Sequence, residues 1–94
     1  MGPLGSGLYR IRGADGRLLY VGEGFVCGRL ITHAAKVTRA AWPQDIVFAN
    51  AQPLECSWLV CDDWAPHQRG ELEADLIAAV TLATGAPPAA QFIG

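Results

Sequence analysis

Two short β-prone runs joined by an Asp-Gly turn open the sequence. Residues 7–12 and 18–22 are rich in Leu, Ile, Tyr and Val, and Gly13-Ala14-Asp15-Gly16 lies between them. An Asp-Gly dipeptide in this setting is a strong hairpin signal, because both residues tolerate the left-handed backbone of a tight turn. We therefore expect an antiparallel pair of strands with Tyr9, Ile11 and Tyr20 on one face, which in its simplest form is a packed cross-strand cluster.

A helix is predicted directly after the hairpin, from about residue 26 to residue 41. Its apolar residues recur at helical spacing and form one stripe: Leu30, Ala34, Val37 and Ala41. A second stripe consists of Arg29, His33 and Lys36, which are four and three residues apart and share one line along the helix. Three cationic or potentially cationic groups thus lie at the edge of the face that we expect to be buried.

The second half of the chain predicts one strand and one helix. Trp42-Pro43 ends the first helix, and the pattern leaves residues 44–53 unassigned. Residues 54–61 alternate as a third strand with one mostly apolar face. Pro66 suits a first helical turn, and the last helix then extends to about Thr84, before Gly85. Its inward-facing residues are predicted to be Leu72, Leu76, Ala79, Val80 and Ala83.

One carboxylate of the last helix has an unusual predicted position. Glu71 and Asp75 fall on the side of the helix that faces solvent, where acidic residues are common. Glu73 instead borders the apolar stripe, where a carboxylate is costly unless a cation or hydrogen-bond donors meet it. Its position alone makes Glu73 a candidate site residue.

Length and composition fit one folded domain. The chain has 94 residues, 51% of them hydrophobic, which suffices for a single core. Residues 1–6 read MGPLGS and are typical of an expression leader or the scar of a removed tag, so we assign the domain to residues 7–94. No apolar run reaches the roughly 18 residues of a membrane-spanning helix, and no signal-peptide pattern is present. We therefore expect a cytoplasmic protein without a membrane partner.

The charge distribution is uneven along the chain. The net charge of −2 argues mildly against a free-standing nucleic-acid binder, which is usually basic. Residues 1–40, however, carry six basic and two acidic residues, a balance of +4, whereas residues 41–94 carry one and seven, a balance of −6. A basic face can therefore coexist with an acidic total.

Four sequence elements in order resemble the GIY-YIG nuclease family. Gly7-Leu8-Tyr9 and Tyr20-Val21-Gly22 are similar to the two motifs that name the family. Arg29-x-x-x-His33 follows on the predicted first helix, and Glu73-x-x-Leu76-Ile77 on the last. The resemblance implies an α+β fold, a small, largely antiparallel three-stranded sheet with helices packed around it. It also implies a metal-dependent endonuclease that hydrolyses phosphodiester bonds, with DNA as the favoured nucleic acid.

The resemblance also implies roles for individual residues. Glu73 would hold one Mg²⁺ or Mn²⁺ ion, and Arg29 would contact the scissile phosphate. Tyr9 would act as general base or proton relay for the attacking water, and Tyr20 would orient the water or phosphate. His33 would contact phosphate or transfer a proton, although a lone helical histidine is more often structural. Lys36 would bind phosphate away from the reaction centre.

Two positions depart from the family pattern and keep alternatives open. The family usually has an Asn near its C-terminal end, where this chain has Gln91, and often a basic residue where this chain has Glu23. A non-catalytic module of the same fold that binds nucleic acid or a protein partner is therefore the alternative to an active nuclease. A third possibility, which we favour among active forms, is a domain that cuts only beside a separate DNA-reading domain.

Overall fold

A computed structural model describes residues 4–93 as a sheet of three strands with three helices, in the order β-β-α-α-β-α. The hairpin consists of β1 (Ser6–Arg12) and β2 (Leu18–Phe25). The helices α1 (Val26–Arg39) and α2 (Pro43–Asn50) follow, and then β3 (Glu55–Val60) and α3 (Pro66–Thr84) complete the chain. Residues 1–3 of the expected leader lie outside the described residues, whereas Ser6 already belongs to β1.

The sheet has the order β2-β1-β3, and both pairings are antiparallel. Tyr9 is opposite Gly22 on β2 and Trp58 on β3, and Ile11 is opposite Tyr20. The α+β class and the small antiparallel sheet predicted from the sequence are therefore confirmed. In residues 4–93, no helix is long and apolar enough to cross a membrane.

The sheet lies between α1 on one face and α3 on the other. Tyr9 hydrogen-bonds to a residue of α1, while its neighbour Leu8 lines a groove with Leu72 and Leu76 of α3. Because successive side chains of a strand point to opposite faces, the two helices cover opposite faces. The main core cluster is on the α1 side and includes Tyr9, Ile11 and the fully buried Phe48.

The first helix is rotated relative to the predicted apolar stripe. Ala34 is exposed, and Ala41 lies beyond the end of α1, so both were wrongly placed in the core. The buried line of α1 instead contains Val26 and His33, with Leu30 and Val37 half-buried beside them. His33 replaces an apolar residue there because its ring nitrogen has a hydrogen-bond partner inside the fold.

The segment left unassigned from the sequence contains α2. Its start is organised by Asp45, whose buried carboxylate accepts hydrogen bonds from the backbone N–H groups of Ala41 and Trp42. Arg39 binds both oxygens of the same carboxylate at 2.7 Å. The hydrogen bonds from Arg39 hold the pKa of Asp45 well below its usual range. The start of this short helix is therefore determined by the hydrogen bonds of a buried polar residue and not by an apolar repeat.

The last helix begins and ends at the predicted residues but buries different residues from those predicted. Leu76, Ala79 and Ala83 are exposed, so their predicted burial is wrong, and Leu72 and Val80 are half-buried. Leu72, Leu76, Ala79 and Val80 nevertheless face the sheet, because all four line the groove between α3 and the strands. The buried residues of α3 are Arg69 and Ile77. An open apolar groove of ≈ 550 Å³ remains between α3 and the sheet, because α3 packs mainly against β2 and leaves β3 exposed.

The C-terminal tail closes the outer edge of β2. Ala89 and Ala90 donate backbone hydrogen bonds to the carbonyls of Leu18 and Leu19. The buried Gln91 side chain then donates to the Val21 carbonyl at 3.0 Å and accepts from the Val21 N–H at 2.9 Å. These contacts satisfy the groups that an edge strand otherwise leaves unpaired, and they hold β2 in place where it carries Tyr20.

Candidate active site

The residues predicted as catalytic from the sequence line one cavity. It has a volume of ≈ 280 Å³ and lies where the hairpin meets α1 and α3. All five candidates and Lys36 are among its lining residues: Tyr9, Tyr20, Gly22, Glu23, Arg29, Thr32, His33, Lys36 and Glu73. Residues from two strands and two helices thus converge on one volume.

The hairpin contributes two stacked tyrosines. The ring centroids of Tyr9 and Tyr20 are 6.1 Å apart, with an angle of 20° between the ring planes. Tyr9 reaches the cavity across β2 because its cross-strand partner is Gly22; a Cβ at that position would overlap the Tyr9 ring and hydroxyl. The glycine of the second motif is therefore required by the path of the Tyr9 side chain.

The first helix contributes an arginine, a histidine and a lysine. His33 is buried, and its Nε2 lies 2.9 Å from the Tyr9 hydroxyl oxygen. Lys36 Nζ lies 3.2 Å from the other ring nitrogen, Nδ1. Arg29, one turn before His33, is exposed along the same line of the helix. The predicted stripe of three basic-type side chains therefore faces the cavity, with His33 as its buried member.

Burial shifts the proton affinities of these side chains. Burial, together with the neighbouring Tyr20, raises the pKa of the Tyr9 hydroxyl, so Tyr9 is protonated near neutral pH. Burial also raises the pKa of Tyr20. His33 is shifted in the opposite sense, because burial and the adjacent Lys36 and Arg29 charges lower its pKa from 6.5 to about 4. The imidazole is therefore neutral at physiological pH.

Glu73 is the carboxylate that α3 brings into the cavity. Burial and the charge of Glu23 raise its pKa, and the Arg29 guanidinium partly opposes that rise. Glu71 and Asp75 on the same helix are exposed, as the helical period predicts. A half-buried carboxylate with a raised pKa is poised to gain a cation, since a bound cation removes the penalty of its charge.

An ion pair that the sequence interpretation missed lies beside Glu73. Arg69 Nε is 3.2 Å from a Glu23 carboxylate oxygen, and Arg69 also donates to the Trp64 carbonyl at 2.7 Å. The buried Arg69 therefore offsets part of the Glu23 charge beside the cavity. One sequence signal points to Arg69: it is the single Lys or Arg after residue 40, one helical turn before Glu73.

Two glutamines support the cavity from outside. Gln91 does not line it, but its side chain hydrogen-bonds to the backbone of Val21, which lies in sequence between Tyr20 and Gly22. Gln44 Oε1 accepts a hydrogen bond from Lys36 at 2.5 Å, and its Nε2 donates to the Ala90 carbonyl at 2.8 Å. The C-terminal tail is thereby connected to both the hairpin and the first helix.

The donor set fits a metal ion held largely by non-protein ligands. Among residues 4–93 no group of three or more His, Cys, Asp or Glu side chains could hold a metal ion. Mg²⁺ is commonly bound by one or two carboxylates, with waters and phosphate oxygens as the other ligands. Glu73, with Glu23 near it, is suited to such a site, and the charged and hydroxyl groups around it suit a phosphate ester.

No protein-family model, curated protein or solved structure matches the chain.

Proposed function

We propose that the chain is a metal-dependent endonuclease domain of the GIY-YIG type, which hydrolyses nucleic-acid phosphodiester bonds, with DNA as the favoured substrate. The observation that carries the proposal is the convergence of Tyr9, Arg29 and Glu73 on one cavity. A cation for the phosphate, a carboxylate for a metal ion and a hydroxyl for the attacking water are the groups that this reaction needs.

Each group has a distinct part in the proposed reaction. Arg29 is exposed at the cavity and binds the scissile phosphate, where its guanidinium matches two oxygens. Lys36 adds a second positive charge to the same wall. Tyr9 keeps its proton, because burial raises its pKa, and positions the attacking water by hydrogen bonding. Tyr20, stacked on Tyr9, orients water or phosphate from the neighbouring strand β2.

Glu73 is the residue that would hold Mg²⁺ or Mn²⁺. When bound, such an ion neutralises charge on the phosphate and on the leaving oxygen. The raised pKa of Glu73 supports this role, since the carboxylate gains most from a cation at a half-buried position. Arg69 Nε lies 3.2 Å from a Glu23 carboxylate oxygen, so its positive charge offsets part of the negative charge that Glu23 brings to the cavity.

The domain has more Asp and Glu residues than Lys and Arg residues. With a net charge of −2, it is expected to bind nucleic acid weakly and through phosphate contacts. We therefore propose that a separate DNA-reading domain or protein partner supplies most of the affinity.

The test is cleavage of plasmid DNA by the purified protein, with and without Mg²⁺. Glu73→Gln keeps the shape of the side chain and loses its charge, so cleavage should fall at least a hundredfold with the fold intact. Glu71→Gln makes the same chemical change two residues away at an exposed position and should cleave normally. Full activity of Glu73→Gln at limiting Mg²⁺ would contradict the metal-binding role of Glu73, whereas absence of cleavage by the unaltered protein would favour the non-catalytic binding module.

A further inference from the structure

A chain of four polar side chains leads away from the cavity into the fold. It starts at the Tyr9 hydroxyl and passes through both ring nitrogens of His33 to Lys36 and then to Gln44. The last link is the Ala90 carbonyl of the C-terminal tail, which accepts from Gln44. The hydrogen bonds at the two His33 nitrogens have directions that can be deduced, because some groups in the chain can only donate and others can only accept.

The orientation of Gln44 is fixed by its two partners. Its Nε2 donates to the Ala90 carbonyl, which cannot donate in return, so Oε1 is the atom that faces Lys36. Ala90 is itself held, because its N–H donates to the Leu19 carbonyl on β2. Lys36 therefore meets an acceptor at a defined place, and its ammonium group is drawn into the wall of the cavity.

The Lys36 ammonium decides which ring nitrogen of His33 carries the proton. An ammonium group has three donors and no acceptor, so at 3.2 Å it requires an unprotonated Nδ1. The neutral imidazole then carries its proton on Nε2, which lies 2.9 Å from the Tyr9 oxygen. His33 consequently donates to Tyr9, and the hydroxyl proton of Tyr9 is free to point elsewhere.

We propose that Lys36, held by Gln44, is a positioning residue that fixes neutral His33 in the Nε2–H tautomer and so makes Tyr9 a hydrogen-bond donor toward the cavity. His33 in this state has no free nitrogen with which to accept the Tyr9 proton. Protonating it would place an N–H at Nδ1 against the Lys36 ammonium, two donors facing each other. Burial and that same charge hold the pKa of His33 at about 4, in agreement with the geometry.

The consequence for the reaction rests on the proposed function. If the cavity hydrolyses phosphodiesters, His33 is a structural donor to Tyr9 and not the general base. The proton released by the attacking water then leaves by way of the substrate or solvent. The tautomer itself does not depend on any activity and can be measured directly in the protein without substrate.

The deciding experiment is ¹⁵N NMR of the histidine side chains at neutral pH, which distinguishes protonated from unprotonated ring nitrogens. His67 is exposed on α3 and serves as the internal reference. We expect one tautomer for His33, with the proton on Nε2. Lys36→Met should introduce the Nδ1–H form, and Lys36→Arg, which restores a donor, should return His33 to Nε2–H. Lys36 is the single lysine of the chain, so the substitution removes all lysine charge.

Two matched variants separate position from charge and from folding. Arg17→Met removes a positive charge at an exposed turn and should leave the His33 tautomer unchanged. Gln44→Leu should weaken the Nε2–H preference by releasing Lys36, whereas Gln52→Leu, which changes an exposed glutamine, should not. An Nδ1–H tautomer in the unaltered protein, or an unaltered tautomer in folded Lys36→Met, would overturn the proposal.

Cleavage kinetics give the second readout. Lys36→Met should lower kcat on the order of tenfold, as is typical when a partner that orients a site histidine is lost, and Lys36→Arg should recover most of it. If the unaltered protein does not cleave while the NMR result holds, the nuclease proposal fails and the tautomer assignment stands. If the protein cleaves but the tautomer is Nδ1–H, the tautomer assignment fails and the nuclease proposal stands.

Discussion

Replacing Gln91 by leucine tests whether the C-terminal tail holds the second strand in place. The side chain of Gln91 is buried and makes two hydrogen bonds with one residue, to the N–H and the carbonyl of Val21. Leucine has a similar volume and keeps the apolar contacts, but it leaves both backbone groups without partners. Since β2 is an edge strand, no other strand is available to pair with them.

The expected loss of stability follows from these two orphaned groups. A buried backbone donor or acceptor without a partner costs about 1–3 kcal/mol, so two of them cost about 2–6 kcal/mol. Water reaching the strand edge offsets part of this, which gives a loss of about 2–4 kcal/mol in the free energy of unfolding. For a domain of this size the melting temperature should fall by roughly 10–25 °C.

Urea denaturation followed by far-UV circular dichroism measures this loss. Gln52→Leu is the matched control, because Gln52 donates a single exposed hydrogen bond to Ala49 and should lose less than about 0.5 kcal/mol. A Gln91→Leu protein within about 0.5 kcal/mol of the unaltered chain would refute the reasoning, since the tail would then not stabilise the strand that carries Tyr20.

Four further outcomes are expected. Arg29→Ala should reduce cleavage on the order of a hundredfold, because a donor to transition-state charge is lost; an unaffected rate would remove Arg29 from the site. Gly22→Ala should displace the Tyr9 ring and abolish cleavage in a folded protein, which circular dichroism and the plasmid assay together check. DNA binding should weaken steeply as salt rises, and salt-insensitive, sequence-specific binding would contradict that. The pKa of His33 is about 4 in the folded state and ordinarily 6.5, so the unfolded chain binds a proton at His33 more readily than the folded chain does. The free energy of unfolding should therefore fall as the pH drops from 6.5 to 4, and it should fall less in His33→Gln.

Local periodicity predicted most elements of the fold. The hairpin, the first helix, the third strand and the last helix each have a two-residue or helical repeat long enough to be recognised. The second helix has no such repeat, because its buried residues are Asp45 and Phe48 and its start depends on hydrogen bonds to Asp45. The burial of individual helix residues was predicted less well, since α3 leaves an open groove between Leu76 and the sheet and buries Ile77 instead.

The site residues that have distinctive chemistry of their own could be predicted from the sequence. Those whose role depends on a partner far away in sequence could not. Glu73 was selected by its place at the border of a helical stripe, and it lines the cavity. Arg69 was missed because its partner Glu23 is 46 residues away in sequence, and the Gln91 contact spans 70 residues. Pairings at such separations are decided by the packing of whole elements, which no local pattern encodes.

Because Glu73 is on α3, the cavity can lose this residue by local opening of α3 without unfolding of the whole domain. Over 19 residues, α3 buries Arg69 and Ile77, whereas the hairpin and α1 enclose the core cluster. Segments with few buried contacts open without global unfolding, and their amides exchange with solvent at a lower free-energy cost. Amide hydrogens of α3 should therefore exchange before those of β1, and each such opening removes the Glu73 carboxylate from the cavity while the tyrosines stay ordered. If the cavity is the proposed nuclease site, cleavage should be lost under mild heating or denaturant before the core melts, and a metal ion or DNA that contacts Glu73 should slow this loss by holding α3 closed.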